Sequence, residues 1–234
     1  MNRLLHTLAA AAVLLGVTLP AHAVDYGSGQ LGTWTNWGHG QTTDPAASVW
    51  LFGDSITNRC WPRLDTRLKA KGAKLAVNYW SGRPTAPTVD EVLKWIRDGK
   101  PLPQVLVMAA GANDIYNPPV VAGQVARLKA ALPDSVQLVW VDVHAGRWGA
   151  SYSTATQIAN MRNSMWVNSQ IRAVLPDSQV AAWSYQIAAL PGRGVSLSYY
   201  LQDGVHPWPS KVSGHGDGCD LWAYAIMGKV GPLL

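Results

Sequence analysis

The chain has 234 residues, of which 48% are apolar and only 14% charged, and its formal charge is +5. That length allows one domain with a sizeable core. The basic excess is too mild to argue for a nucleic-acid partner, and no apolar run reaches the ~20 residues that a bilayer span requires.

Residues 1–23 read as a secretory signal peptide. Arg3 supplies the positive start, Leu8 to Leu19 a short apolar run, and Ala21-His22-Ala23 a small-residue cleavage site after Ala23. The expectation is an exported protein, secreted or periplasmic, without stable membrane insertion. Residues 24–46 are rich in Gly, Thr and Trp and show neither helical nor strand period, so they are expected to be an irregular lead-in. The GxGxxG string from Gly27 to Gly32 has no strand before it and no helix after it, and is no dinucleotide signature.

Residues 47–234 then alternate as one domain. Ser48 to Phe52 is a short apolar strand, and Asn58 to Lys71 has helical spacing up to a Gly72 stop. Leu75 to Trp80 is a second strand. Thr88 to Asp98 follows as a helix, with Thr88 or Asp90 as cap and Gly99 as terminator. Gln104 to Ala110, Val136 to Val143 and Val180 to Tyr185 complete five strands. Helices are predicted from Val120 to Ala131, from Ser153 to Leu175 before Pro176, and from Asp220 to Met227. Strand–helix alternation with near-continuous apolar strands implies a parallel sheet covered on both faces, a three-layer α/β/α sandwich. Ligands of such sheets bind beyond the carboxyl ends of the strands.

Three short segments fall at or near such ends. Gly53-Asp54-Ser55 lies where a strand turns into a helix, so Ser55 can offer its hydroxyl to a substrate and its N–H to an oxyanion. Read alone, it is equally a helix cap, and Asp54 reads as a turn residue. Asp203 and His206 are three apart on a loop shaped by Gly204 and Pro207. That spacing lets the carboxylate hold one ring nitrogen while the other faces outward. His39, His144 and His215 are weaker candidates for a base. Asn113 ends the turn Gly111-Ala112-Asn113-Asp114, where its amide can donate to an oxyanion, and Gly82 can bring a backbone N–H to the same place.

These segments resemble the blocks of the SGNH hydrolases, the GDSL esterases and lipases. Gly53-Asp54-Ser55-Ile56-Thr57 corresponds to the first block, Gly82 to the second, Gly111-Ala112-Asn113-Asp114 to the third and Asp203-Gly204-Val205-His206-Pro207 to the fifth. The resemblance runs from about Ser48 to the C-terminus. It implies a flavodoxin-like sheet, an acyl-serine intermediate on Ser55, His206 as base oriented by Asp203, and an oxyanion hole of Ser55, Gly82 and Asn113. It also implies no metal and no organic cofactor. The chain departs from the family pattern after His206, where Trp208 to Cys219 intervenes as a polar, Gly-rich loop suited to a lid or specificity element. His215, Asp217 and Asp220 near it match no metal-ligand spacing.

Two cysteines, Cys60 and Cys219, in an exported chain suggest one disulfide tying the first helix to the segment after His206, the alternative being two separate thiols. Arg63, Arg67, Lys69, Lys71 and Lys74 read as a solvated helix face. Twelve tryptophans stand against a single phenylalanine. Most must be core, Trp95 and Trp140 among them, but Trp61, Trp80 and Trp208 flank the blocks and could stack on sugar or hold an acyl chain. The expected substrate is a small-molecule or polysaccharide ester, with O-acetyl groups on carbohydrate and lipid or short-chain esters both open. An acyltransferase using the same site, and a non-catalytic polysaccharide-binding module, are the alternatives.

Overall fold

The computed structural model describes residues 38–148, 153–211 and 213–234. The expected signal peptide, the GxGxxG string and the lead-in before Gly38 lie outside the described residues. Among those residues no helix is long and apolar enough to cross a membrane.

One sheet of six strands forms the middle layer. Its strands are β1 (His39–Thr42), β2 (Val49–Gly53), β3 (Leu75–Trp80), β4 (Val105–Ala109), β5 (Gln137–Val141) and β6 (Val180–Ala181). The spatial order is β1-β3-β2-β4-β5-β6. Every pairing is parallel except β1 with β3. The five parallel strands have the flavodoxin-like order expected, and β1 is an addition. It corrects the reading of residues 24–46 as wholly irregular. His-Gly-Gln-Thr has no strand period and poor intrinsic β preference, and its residues are mostly exposed. It becomes a strand because the outer edge of β3 offers it a full register, His39 opposite Trp80 through Thr42 opposite Val77.

The helices are α1 (Ser55–Lys69), α2 (Thr85–Arg97), α3 (Val120–Ala131), α4 (Thr154–Arg172), α5 (Trp183–Ala188) and α6 (Gly218–Val230). On one side α1 packs on α6, which also meets α5; on the other α2 meets α3 and α3 meets α4. In α1, Ile56, Cys60, Leu64 and Leu68 recur every four residues and are buried, the spacing that puts one stripe on the sheet. Strands β2 and β4 are buried along their whole length, as strands covered on both faces must be.

Most boundaries shift by one to three residues from the sequence reading, as where α1 starts at Ser55 rather than Asn58 and α6 runs from Gly218 to Val230 rather than from Asp220 to Met227; two differences have a visible cause. The helix expected from Thr88 starts at Thr85, and the Thr88 hydroxyl donates instead to the Pro84 carbonyl at 2.8 Å. Its start is capped from elsewhere: Asp114 Oδ2 accepts from the Thr85 N–H at 2.8 Å and from its hydroxyl at 2.7 Å. The strand expected from Val180 to Tyr185 stops at Ala181, and α5 begins at Trp183. There the buried Asp142 accepts from the Ser184 N–H at 2.6 Å and its hydroxyl at 2.7 Å, while Arg172 pairs with the same carboxylate.

The tryptophan excess is largely core. Trp95, Trp140, Trp183 and Trp222 are among the largest fully buried side chains, and Trp95 meets Trp50 and Phe52 edge-on at 5.2 and 4.8 Å. The indole N–H of Trp140 donates to the Ala110 carbonyl at 2.9 Å, which steadies the chain leaving β4.

Winding reverses at β2, since β3 pairs on one side of it and β4 on the other. Gly53 lies opposite both Tyr79 and Ala109, so the three strands end level. The segments carrying Ser55, Gly82 and Asn113 therefore leave the sheet side by side at the topological switch point.

Candidate active site

Gly53 makes the turn after β2 possible. A Cβ there would fall 1.9 Å from Thr57 Oγ1 and 2.7 Å from the Ala109 carbonyl. Asp54 is the N-cap of α1, its Oδ1 accepting from the Ile56 N–H at 2.9 Å. It is a turn residue, as the sequence suggested, and it does more: Oδ2 also receives the Asn113 amide at 3.3 Å. Burial pushes the Asp54 carboxyl up to about 6, against the opposing effect of the Ile56 N–H and of the nearby His206 and Arg83.

Ser55 opens α1 with its Oγ 2.8 Å from His206 Nε2. His206 Nδ1 lies 2.7 Å from Asp203 Oδ2. A carboxylate can only accept, so Nδ1 carries the proton and, in the neutral ring, Nε2 accepts from the serine hydroxyl. Asp203 Oδ1 also takes the N–H groups of Val205 and His206, at 3.0 and 2.8 Å. Burial acts to raise this carboxyl. The hydrogen bonds and charge of His206, with the two amides, more than reverse it and hold Asp203 well below the usual carboxylate range.

The chain around His206 is a loop closed on itself. Leu201 and Pro207 form an isolated bridge, and the Gln202 N–H reaches the His206 carbonyl at 2.8 Å. It is stitched to the segment after β5 by Gly146 N–H to the Gly204 carbonyl and Trp148 N–H to the Asp203 carbonyl, both 2.9 Å. Gly204, at φ +82, is required twice over, because a Cβ would also fall 2.8 Å from the Arg147 nitrogen. Cys60 and Cys219 form a disulfide that joins α1 to the first turn of α6. Trp208, immediately beyond the loop, accepts the Cys219 N–H on its carbonyl at 2.9 Å.

A small group of donors faces the same space. Among the described residues no acceptor takes the N–H of Ser55 or of Gly82, and Gly82 sits at φ +81. The Asn113 amide rests on Asp54 and on the Arg83 carbonyl, both at a long 3.3 Å. Arg83 is a residue the sequence reading missed. It is 3% exposed, and its guanidinium donates to Asn78 Oδ1 at 2.8 Å and to the Gly53 carbonyl at 3.0 Å, clamping the end of β2 to β3. Burial lowers its pKa to about 10, so it stays charged at neutral pH.

The cleft over Ser55 holds about 540 Å³. Its walls are polar: Asn58, Arg59, Ser81, Asn113, Arg147 and Gln202 surround the serine and the imidazole. The three tryptophans expected to flank the blocks are placed otherwise. Trp61 is six residues along α1 from Ser55, about 240° round the helix, and packs against the core. Trp80 ends β3 beside His39, ring centroids 5.2 Å apart, on the β1 side of the sheet. Trp208 stacks on His215 at 4.3 Å and donates its indole N–H to the Ser198 carbonyl. Nearness in sequence to a block did not put their rings in the cleft. Asn58, Arg59, Ser81, Arg147 and Gln202 line the cleft and were not among the expected site residues. Arg147 carries one usable signal in the backbone only, a φ of +23, a conformation that costs a non-glycine residue about 1–3 kcal/mol and collects at functional sites.

His215, Asp217 and Asp220 are engaged elsewhere, the two carboxylates pairing with Arg63 at 2.8 Å and Arg67 at 2.9 Å. These ion pairs, with Lys69 on Asp65 and Lys74 on Asp44, also account for most of the basic cluster on α1 and its exit.

Solved structures share this arrangement of strands and helices. A candidate SGNH hydrolase from Slackia heliotrinireducens superposes with a TM-score of 0.59 at 19% identity, over 80% of this chain and 100% of its own. The chain has the SGNH hydrolase fold. The catalytic domain of peptidoglycan O-acetyltransferase A from Streptococcus pneumoniae gives 0.57 at 21% identity, over 80% and 94% of the two chains. An acetyl xylan esterase from Geobacillus stearothermophilus gives 0.54 at 14%, over 80% and 97%. No protein-family model matches the sequence, and no curated protein does. The likeness to these structures is one of fold.

Proposed function

We propose that the chain is an exported serine esterase that removes small acyl groups, acetyl foremost, from carbohydrate. The observation that carries the reading is the relay from Ser55 Oγ through His206 to Asp203, with contacts of 2.8 and 2.7 Å, opening into a polar cleft. Ser55 Oγ attacks the ester carbonyl while His206 Nε2 takes its proton, and Asp203 orients the ring and stabilises the imidazolium. The N–H groups of Ser55 and Gly82 and the amide of Asn113 receive the oxyanion. For that, Asn113 exchanges its two long contacts for one to the substrate. The protonated His206 then gives its proton to the leaving alcohol, and water, activated by the same ring, releases the acid.

Among the described residues the side chains that line the cleft are polar, which favours a short acyl group on a polar alcohol over a long-chain lipid. Export is supported by the leader-like residues 1–23 and by the disulfide, which persists in oxidising compartments. Two structural neighbours are named for acetyl groups on polysaccharide, one as an esterase and one as a transferase. Acyl transfer to a sugar hydroxyl therefore stands as the second reading. It needs only that an alcohol take the place of water in the last step.

The test is labelling of the purified mature protein with a fluorophosphonate, together with release of p-nitrophenol from p-nitrophenyl acetate. Both should depend on Ser55, and undiminished turnover by Ser55→Ala would exclude the reading. Product analysis with an acceptor sugar present separates hydrolysis from transfer. Polysaccharide capture by a protein that resists the probe would favour a binding module instead.

A further inference from the structure

Strand β1 buries little: its residues are mostly exposed, and the five parallel strands make the flavodoxin-like sheet without it. What it adds is one wall of a second hollow. This hollow holds about 440 Å³ between β1, the end of β3 and α2, and among the described residues it shares no lining residue with the cleft over Ser55. Its floor is made of buried polar groups. Asn78 is 7% and Arg83 3% exposed. The Arg83 guanidinium donates to Asn78 and to the Gly53 carbonyl, but its buried Nε has no acceptor among the described residues. Asn78 Nδ2 has two long contacts, 3.5 Å each, to Gln41 Oε1 and Glu91 Oε1. Glu91, half-buried on α2, takes the Trp95 indole N–H at 3.0 Å on that same oxygen, which holds its carboxylate at the hollow. Buried donors without good acceptors are costly, so this floor suits a ligand that brings oxygens to it. On the rim, the rings of His39 and Trp80 lie 5.2 Å apart and tilted by 34°, and Gln41 stands exposed on the strand.

The charges of the hollow balance. It holds one guanidinium and one carboxylate, close enough that Glu91 favours the charged form of Arg83. That balance favours neither a phosphate nor an ammonium group. Hydroxyl groups both donate and accept, so they can satisfy an amide, a carboxylate and an imidazole together, and the C–H face of a sugar ring fits against an aromatic side chain. We propose that this hollow is a glycan-binding site, distinct from the catalytic cleft, that takes a neutral sugar unit of a polysaccharide. Gln41, Asn78 and Glu91 bind its hydroxyls, and His39 meets its apolar face. Binding there does not depend on the serine-esterase reading. Its use does: the chain passes directly from Trp80 at the hollow to Ser81 and Gly82 in the cleft, so a polysaccharide held at the first site is kept at high local concentration near Ser55.

The test is titration of the ¹⁵N-labelled Ser55→Ala protein with xylohexaose and with chitohexaose, neutral chains that carry no ester, read by amide chemical shifts and by calorimetry. At least one of them should bind, with the largest shifts at Gly40, Gln41 and Asn78. In the same background Glu91→Gln should weaken binding about tenfold, the value of a hydrogen bond to a charged group, and Gln41→Ala, on an exposed edge, about threefold. Shifts confined to Gly82, Asn113 and His206, affinity unmoved by both substitutions, or no binding of either chain overturns the proposal. With Ser55 intact, His39→Ala and Gln41→Ala should turn over p-nitrophenyl acetate at the wild-type rate. A large loss in both would place these residues in the catalytic machinery and overturn a separate site. If wild type fails on p-nitrophenyl acetate while the shifts appear at β1, the esterase reading falls and the glycan site stands.

Discussion

The serine and the imidazole of the candidate site reach the same point by different means. Ser55 stands at the end of a fully buried strand, with Gly53 in register against two neighbouring strands and Asp54 capping the helix that follows. His206 stands on a loop without regular structure, held by a single isolated bridge, two hydrogen bonds to the 146–148 segment and a disulfide thirteen residues away in the next helix, from Cys219 to Cys60. The serine's place is a property of the sheet. The imidazole's place is a property of a few cross-links, so damage at the first should cost stability and damage at the second should cost activity first.

The largest expected effect tests the loop. Asp203→Asn keeps a carbonyl oxygen for the Val205 and His206 amides but no longer favours the tautomer in which Nε2 accepts. Turnover should drop by about 10⁴ while the protein stays folded. A variant that keeps a tenth of wild-type activity would break the assignment. Paired glycine substitutions sharpen the contrast. Gly53→Ala drives a methyl into Thr57 and the Ala109 carbonyl, and should destabilise by about 4 kcal/mol or more in urea unfolding. Gly204→Ala should leave the fold standing, displace the loop from the Arg147 backbone, and lower kcat by about 10². If Gly204→Ala is the less stable of the two, the contrast is wrong.

Asn113→Ala should reduce kcat by about 10²–10³ through loss of one oxyanion donor. Replacing Cys60 and Cys219 together by alanine should cost about 2–5 kcal/mol of unfolding free energy, read by denaturant titration, with some activity lost well below the midpoint.

The smallest effect concerns two carboxylates displaced in opposite directions. Asp54 is raised to about 6 by burial. Its contribution to stability is fully present below the ordinary carboxylate range, near pH 4, and is lost as the pH rises through 6. Asp203 is lowered. Its contribution is present above pH 4 and disappears only as the pH falls below that. Asp54→Asn should therefore remove up to about 3 kcal/mol of pH dependence between pH 4 and 6, whereas Asp203→Asn should lower stability across that window and above it, with the difference from wild type vanishing only on the acid side. Urea midpoints at four pH values distinguish the two.

Which parts of this could be read in advance follows from where the stabilising partner lies. Helices α1, α4 and α6 have local caps, Asp54, Ser153 and Asp217, and their existence was legible, although α1 begins three residues and α6 two residues before the expected starts. Helices α2 and α5 are capped by Asp114 and Asp142, 29 and 42 residues away; the start of α2 was placed three residues late and α5 was read as the end of a strand. Strand β1 has no periodicity of its own and borrows its hydrogen bonds from β3. Trp61, Trp80 and Trp208 were associated with the site by nearness in sequence, yet helix rotation, the edge of the sheet and stacking on His215 carry their rings elsewhere.

Taken alone, the amino-acid order determined the alternation of strand and helix, the four blocks and the chemistry each can perform, because buried strands, helical stripes and short turns are local patterns. The tertiary structure alone decided that the described cleft walls are polar and carry none of the three tryptophans, that Asp54 and Arg83 brace the oxyanion side, and that Arg59 and Arg147 border the cleft. Those facts depend on side chains from separate elements meeting at one end of the sheet, and no local pattern encodes such a meeting.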